Sequence, residues 1–307
     1  MDLSCSAVSA LDEPLAGTAG SGRRWLCLEH PGPWGRDILE AEVFGALTDA
    51  VAQWAERADA RLLCVRRRRA RRLAKPGQRA VLATTELDPG SSQARELEFA
   101  DLRALIELDP EPLFAWDEAA WERLPGWRQA RPVLVCAHGR RDQCCAVRGR
   151  PVAEALAEAG HDVWECSHTG GHRFAPSVIF LPDGSVYGRL SPEAAVATAR
   201  ASGEGRIELE GLRGRTCLTA REQVAEIAVL GAAAGQGGRN ARVLRAKERE
   251  DGDVEIVLQT MPGAQQRFLV SIASETLPPR PASCGAEPKS VLVLRSAGIR
   301  LCEEDVL

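Results

Sequence analysis

Between residues 131 and 230 the chain writes its elements in an order that leaves few ways to fold. Residues 132–137 (Pro-Val-Leu-Val-Cys-Ala) are an apolar run of strand length, followed by a loop holding Gly139 and Asp142. Pro151 opens a helix over 152–159, and Gly160 stops it. Residues 162–166 alternate apolar and polar, as a strand does. Residues 177–190 hold two short strands around Asp183-Gly184, a dipeptide that favours a tight hairpin turn. Ser191 caps a helix with Pro192 in its first turn, running to about residue 202. Thr219 and Glu222 form a capping box for a further helix reaching about residue 230.

Strand, helix, strand, hairpin, helix is the order of a thioredoxin-like domain, so the expected fold class is α/β. The earlier part of the chain opens in a related way, with a strand at 24–29, a turn at Pro31-Gly32-Pro33-Trp34-Gly35 and a helix over 38–56. Strands at 61–66 and 81–84 follow. The units near 24–125 and 130–235 read as distant structural copies. The first 20 residues, rich in Ala, Gly, Ser and Pro, read as surface loop. Beyond the Gly/Ala-rich stretch at 231–238, strand patterns at 254–258, 267–272 and 291–294 predict a small β module. The expected division is an N-terminal α/β domain at 1–125, a thioredoxin-like domain at 126–235 and a β-rich module at 236–307.

Composition narrows the function. The 307 residues carry a net charge of −4, which argues against non-specific nucleic-acid binding. No stretch approaches the roughly 18 consecutive apolar residues of a membrane span. The N-terminus, Met1-Asp2-Leu3-Ser4-Cys5, lacks a basic region followed by an apolar run, so a cytoplasmic protein is expected. Of ten cysteines, Cys5, Cys27, Cys64, Cys217, Cys284 and Cys302 are scattered singly and read as small buried hydrophobes with inert thiols. Cys136, Cys144, Cys145 and Cys166 instead crowd with His138, His168 and His172.

Within that crowd, Cys136 and Cys145 have eight residues between them, and His168-Thr169-Gly170-Gly171-His172 follows. Two thiolates and two imidazoles suit either zinc or a 2Fe–2S cluster with histidine on one iron. Structural zinc is the plainer reading, although zinc fingers usually pair cysteines two to four residues apart. The strand puts Cys136 where the chain leaves the sheet, and Cys145 just precedes the helix, so the loop folds back to offer both thiolates. Gly139 and Gly149 relieve crowding there, while Gly170 and Gly171 permit a turn that aims both imidazoles at one point. Cys144 adjoins Cys145, and the residues by themselves leave its role open. Cys166 sits on a strand and its direction is open.

These residues resemble the sucrase/ferredoxin-like family, whose pattern is Cys, eight residues, Cys, then His-x-Gly-Gly-His. Here it reads CAHGRRDQCC at 136–145 and HTGGH at 168–172, with WECSHTGGHRFAP, LPDGSVYGRL, PLAGTA and HPGPWG also similar, over about residues 1–235. The resemblance implies a thioredoxin-like ferredoxin domain. It also implies a 2Fe–2S cluster with Cys136 and Cys145 on one iron and His168 and His172 on the other, the histidine-bound iron accepting the electron. Sugar hydrolysis is not expected, since no pair of carboxylates is marked as acid and nucleophile.

Exchanging two thiolates for neutral imidazoles removes negative charge and eases reduction, from about −400 mV towards the roughly −150 to +300 mV of Rieske centres. Imidazole N–H groups facing water couple that step to pH. The expected function is one-electron transfer to an unidentified redox partner protein. The rivals are a Cys2His2 zinc protein without redox role and a thiol oxidoreductase, the latter weakened by the absence of Cys-x-x-Cys. Arg140, Arg141, Arg148, Arg150 and Arg173 offer to offset cluster charge or dock an acidic partner, and equally read as solvated surface. Six arginines in residues 66–72 read as an exposed strand end rather than a nucleic-acid site. No glycine-rich phosphate loop appears, so no nucleotide cofactor is expected.

Overall fold

The computed structural model describes residues 4–67, 78–124, 126–235, 241–261 and 264–302. It opens with a short helix α1 (Cys5–Ser9), then β1 (Arg24–Glu29), α2 (Thr48–Arg57), β2 (Ala60–Arg67), β3 (Gln78–Thr84) and β4 (Gln93–Phe99). Three short helices follow, α3 (Arg103–Ile106), α4 (Pro110–Phe114) and α5 (Glu118–Trp121), and a two-residue strand β5 (Arg128–Gln129). The next stretch is β6 (Val133–Cys136), α6 (Gln143–Glu158), β7 (Val163–Cys166), β8 (Ser177–Phe180), β9 (Ser185–Gly188) and α7 (Pro192–Gly203). Last come β10 (Leu212–Arg215), α8 (Ala220–Gly235), β11 (Arg242–Glu248), β12 (Val254–Met261), β13 (Ala264–Arg280) and β14 (Lys289–Cys302). The α/β class is thus observed.

Among the described residues, ten strands form one sheet in the order β10-β9-β8-β6-β7-β2-β1-β3-β4-β5. Strand β6 runs parallel to β7 and antiparallel to β8, which pairs antiparallel with β9. Strand β1 does the same with β2, β3 and β4. The two halves therefore share one strand order and meet where β2 and β7 pair antiparallel, Val65 opposite Cys166. The period-two alternation of strands sorts the side chains by face. Trp25, Cys27, Leu134, Cys136, Trp164 and Cys166 enter one continuous core that crosses the seam, and the sheet curls around it. Leu26 and Leu28 face the first half's helices, and Val133 and Val135 face α6 and α7.

Several elements depart from expectation. Helix α6 begins at Gln143, eight residues before Pro151, because Asp142 caps it by accepting the Cys144 N–H at 2.8 Å. Pro151 then lies inside the helix, and the carbonyl it leaves unbonded is that of Val147, on an exposed turn where water can serve it. Helix α2 starts only at Thr48, since Glu42 and Gly45 take positive φ (47° and 57°) and break the run expected from residue 38. Helix α8 runs five residues past residue 230, where Ala233 packs on the small sheet. The N-terminal segment is no surface loop. Arg189 donates to the Ser9 and Glu13 carbonyls and Arg280 pairs with Asp12, which lays α1 across the second half of the sheet.

The small sheet, β11-β12-β13-β14, is fully antiparallel, and Val254, Ile256, Leu258 and Val270 bury against Val229 and Ala233 of α8. Its last two strands extend as a long hairpin, paired from Arg267–Cys302 to Arg280–Lys289. The tip of that hairpin reaches the loops at the end of β6. Of the arginine run, only Arg66 and Arg67 lie within the described residues. Arg66 pairs with Glu165 at 2.8 Å and stacks over Trp34, and Arg67 pairs with Glu96 at 2.7 Å and stacks over Trp164. No described helix is long and apolar enough to cross a membrane.

Candidate metal centre

Parallel strands β6 and β7 end side by side, Cys136 beside Cys166, at one rim of the large sheet. The chain leaving β6 turns into the capped start of α6, so Cys144 and Cys145 both sit in the first helical turn. Two glycines allow this close approach. A Cβ on Gly149 would press into the Cys136 carbonyl oxygen, and one on Gly139 would lie 2.8 Å from the Ala146 methyl. A backbone hydrogen bond from His138 to the Cys136 sulfur favours its negative form.

The two adjacent cysteines then part. Cys145 turns to Cys136 and His168, and these three donors lie within 4.8 Å of one another, with Cys145 Sγ 4.0 Å from His168 Nδ1. His168 Nε2 lies 3.3 Å from His172 Nδ1, the ring centroids 4.9 Å apart. His172 stands one step further out, its Nε2 3.9 Å from Asp142. Cys144 faces the other way, against Cys5 and Cys284. Cys166 points inward and is fully buried in the core under Cys136, which answers the open question of its direction.

The histidine loop is held from three sides. Gly170 and Gly171 take φ of 91° and 70°, and a Cβ on Gly171 would strike the Arg213 guanidinium. His138 accepts the His168 backbone N–H on Nδ1 at 3.2 Å, so its proton sits on Nε2, which donates to the Gly35 carbonyl at 2.9 Å. Trp34 meets that ring edge-on, so the Pro-Gly-Pro-Trp-Gly turn positions His138 and, through it, His168. Arg61 donates to the Thr169 carbonyl at 3.0 Å. Arg213, buried beneath the loop, donates to Thr18 and, at 3.1 Å, to the Ser177 hydroxyl.

These surroundings set the charges. The Cys136 thiol is held well below its usual range, first by a hydrogen bond from the Cys145 thiol and then by His168. Cys145 is pushed up in turn by its Cys136 neighbour and by burial, so the pair favours negative charge on Cys136 over Cys145. Burial and then the charge of His168 lower His172. Burial first, and then the charges of Arg173 and Arg61, lower Arg213 to about 9, against the support of Cys136. Burial alone would raise the Asp142 carboxyl, but the Cys284 and Cys144 N–H groups hold it low.

Of the arginines singled out by the sequence, Arg173 is engaged with Glu13 at 2.7 Å and stacks on Phe174, and Arg148 donates to Ser6 at 2.7 Å. Arg141 joins Arg36, His138 and His168 in a cleft of about 250 Å³, through which the His168 ring meets the surface. Sequence reasoning missed Arg213 and the pairing of Cys5 and Cys284 with Cys144. Lone cysteines nearly 140 residues from a motif carry no local mark of where they meet it.

A rim of paired thiols and imidazoles on an α/β sheet defines a protein able to hold a metal. The sucrase/ferredoxin-like family profile matches residues 15–213, and the chain belongs to that family. No curated protein and no solved structure matches it.

Proposed function

We propose that the protein is a one-electron carrier whose Cys136, Cys145, His168 and His172 hold a 2Fe–2S cluster. The observation that carries this reading is that Cys136, Cys145 and His168 offer donors within 4.8 Å of one another, with His172 Nδ1 3.3 Å from the far nitrogen of His168. The donor chemistry fits: two sulfurs lie together on the inner side and two ring nitrogens on the outer side. When bound, such a cluster supplies reversible transfer of single electrons.

The chain's own residues do the rest. Cys136 and Cys145 anchor the inner side in a dry core that Trp25 and Trp164 help to form. His168 faces the cleft with Arg36 and Arg141, so electrons enter or leave through its ring, and the two arginines draw an acidic partner protein to the opening. His138 fixes the His168 backbone and thereby its ring. Residues 1–125, 126–235 and 236–307 serve in this reading as a first α/β unit, the thioredoxin-like carrier and a β-rich cover.

Anaerobic purification with iron, sulfide and zinc assays tests the reading. About two irons and two sulfides per chain are expected, with an EPR signal only after reduction. His168→Cys and His172→Cys then lower the potential and flatten its dependence on pH. Zinc at Cys136 and Cys145, with no iron from iron-replete cells, would leave a structural metal site instead.

A further inference from the structure

Cys144 belongs to a second group of donors, assembled from three distant parts of the chain. Cys5 comes from α1, Cys144 from the first turn of α6, and Cys284 from the tip of the β13–β14 hairpin. Their sulfurs form a triangle with Cys5–Cys144 and Cys5–Cys284 at 3.6 Å and Cys144–Cys284 at 3.2 Å. Asp142 completes the set, its Oδ2 3.7 Å from Cys5 Sγ, and all four donor atoms lie within 4.8 Å of one another. Cys5, Cys144 and Asp142 are buried, and Cys284 is half-buried.

The dimensions are those of a metal shell. A tetrahedral zinc with bonds of about 2.3 Å to sulfur and 2.1 Å to oxygen has S···S edges near 3.8 Å and S···O edges near 3.6 Å. The observed figure has this size, somewhat contracted on the Cys144–Cys284 edge. The surroundings also favour anionic sulfur. The Ser6 hydroxyl donates to Cys144 Sγ at 3.3 Å and is itself held by Arg148. Asp142 accepts the Cys144 and Cys284 N–H groups at 2.8 Å, one on each oxygen, which fixes the carboxylate while leaving lone pairs towards the thiols.

We propose that Cys5, Cys144, Cys284 and Asp142 form a second metal site, and that it takes zinc. Three soft thiolates with one carboxylate select zinc over the hard cations, and four protein donors close the shell, as in structural rather than catalytic sites. Zinc binding displaces the thiol protons to solvent. The site shares no thiol or imidazole with the 2Fe–2S site proposed above. Cys5 and Cys284 also lie outside the residues that the family profile matches.

The test uses the full chain, grown with zinc and purified anaerobically without chelator. About one zinc per chain is expected, bound by three sulfurs and one oxygen as X-ray absorption reads them. Cys284→Ser and Cys5→Ser each lose that zinc at least tenfold, while Cys136→Ser keeps it. Cys284 lies in an exposed turn, and circular dichroism establishes that its variant is folded. Cobalt(II) added to zinc-stripped protein gives sulfur-to-metal absorption that Cys284→Ser abolishes. Iron content is read separately, so failure of the cluster reading leaves the zinc result intact. Protein grown with zinc that purifies without it, its Cys5, Cys144 and Cys284 thiols freely alkylated, would overturn the proposal. So would a Cys144–Cys284 disulfide in anaerobically prepared protein, or zinc with the three-sulfur, one-oxygen shell that survives Cys284→Ser.

Discussion

Burying a guanidinium without a carboxylate beside it is costly, yet Arg213 lies wholly inside, under the histidine loop. Among the described residues its hydrogen bonds go to Thr18 and Ser177, and the one anion that supports its charge is Cys136. A fixed positive charge at that point favours an added electron at the neighbouring site. Arg213→Met should therefore lower the potential by on the order of 60 mV, the one-electron equivalent of a tenfold change in equilibrium, while Arg213→Lys should lower it less. Potentiometric titration of the two variants checks this, and equal potentials would remove Arg213 from the electrostatics of the site. The histidines give a second prediction at this scale. Burial lowers the folded pKa of His30, His138, His161 and His172 below the ordinary 6.5. Below pH 6.5 the unfolded chain binds protons that the folded chain refuses, so stability of the metal-free protein falls as pH drops through that value. The loss stops once the folded pKa values are passed. Urea midpoints at pH 7.5, 6.5 and 5.5 measure it, and midpoints that do not fall would contradict it.

Helix α6 shows how a whole element is fitted to the site. Gly149 lets the helix lie directly on the end of β6, its Cα against the Cys136 carbonyl. Alanine at a helix interior position gains about 1 kcal/mol over glycine. The clash here is with backbone, which cannot swing aside, and overpacking of this kind costs about 1–3 kcal/mol. The clash wins, so Gly149→Ala is expected to lower the denaturation midpoint and to weaken metal retention at Cys136 and Cys145. A more stable variant would show that the helix has room to move. The same helix marks where sequence reasoning stops. Strand β6 was legible from its apolar run, whereas the choice of Cys145 over Cys144 rested on the family's pattern of Cys, eight residues, Cys; in the structure Cys145 is the one turned to Cys136. The true start of α6 was hidden, because Pro151 reads as a first-turn residue, while Asp142 reads only as a loop residue until its carboxylate is seen to accept the Cys144 N–H. The capping box at Thr219 was legible because both its bonds are local, Thr219 N–H to Glu222 at 2.9 Å and Glu222 N–H to Thr219 at 3.3 Å. The seam between β2 and β7 was not, since pairing across about a hundred residues leaves no local pattern.

At the scale of the molecule, the large sheet is continuous through that seam, so its two halves form one hydrogen-bonded surface. The N-terminal segment and the long hairpin both reach Asp142, through Cys5 and Cys284. A metal held by Cys5, Cys144 and Cys284 fastens the two together over His172. Stripping zinc with a chelator should therefore raise proteolytic cutting in residues 281–288 and in the first 12 residues by tenfold or more, while the sheet stays resistant. Equal digestion of stripped and loaded protein would mean that packing alone holds these ends.

The hairpin tip is also the last part of the centre to be synthesised. Cys284 follows Cys144 by 140 residues. At about 5–20 residues per second, translation leaves roughly 7–30 s in which β6 and the start of α6 exist without their cover, and roughly 6–22 s for the histidine loop, which ends at His172. That interval is a loading window: a cofactor delivered early meets an open rim, and one delivered after the chain is finished meets a closed one.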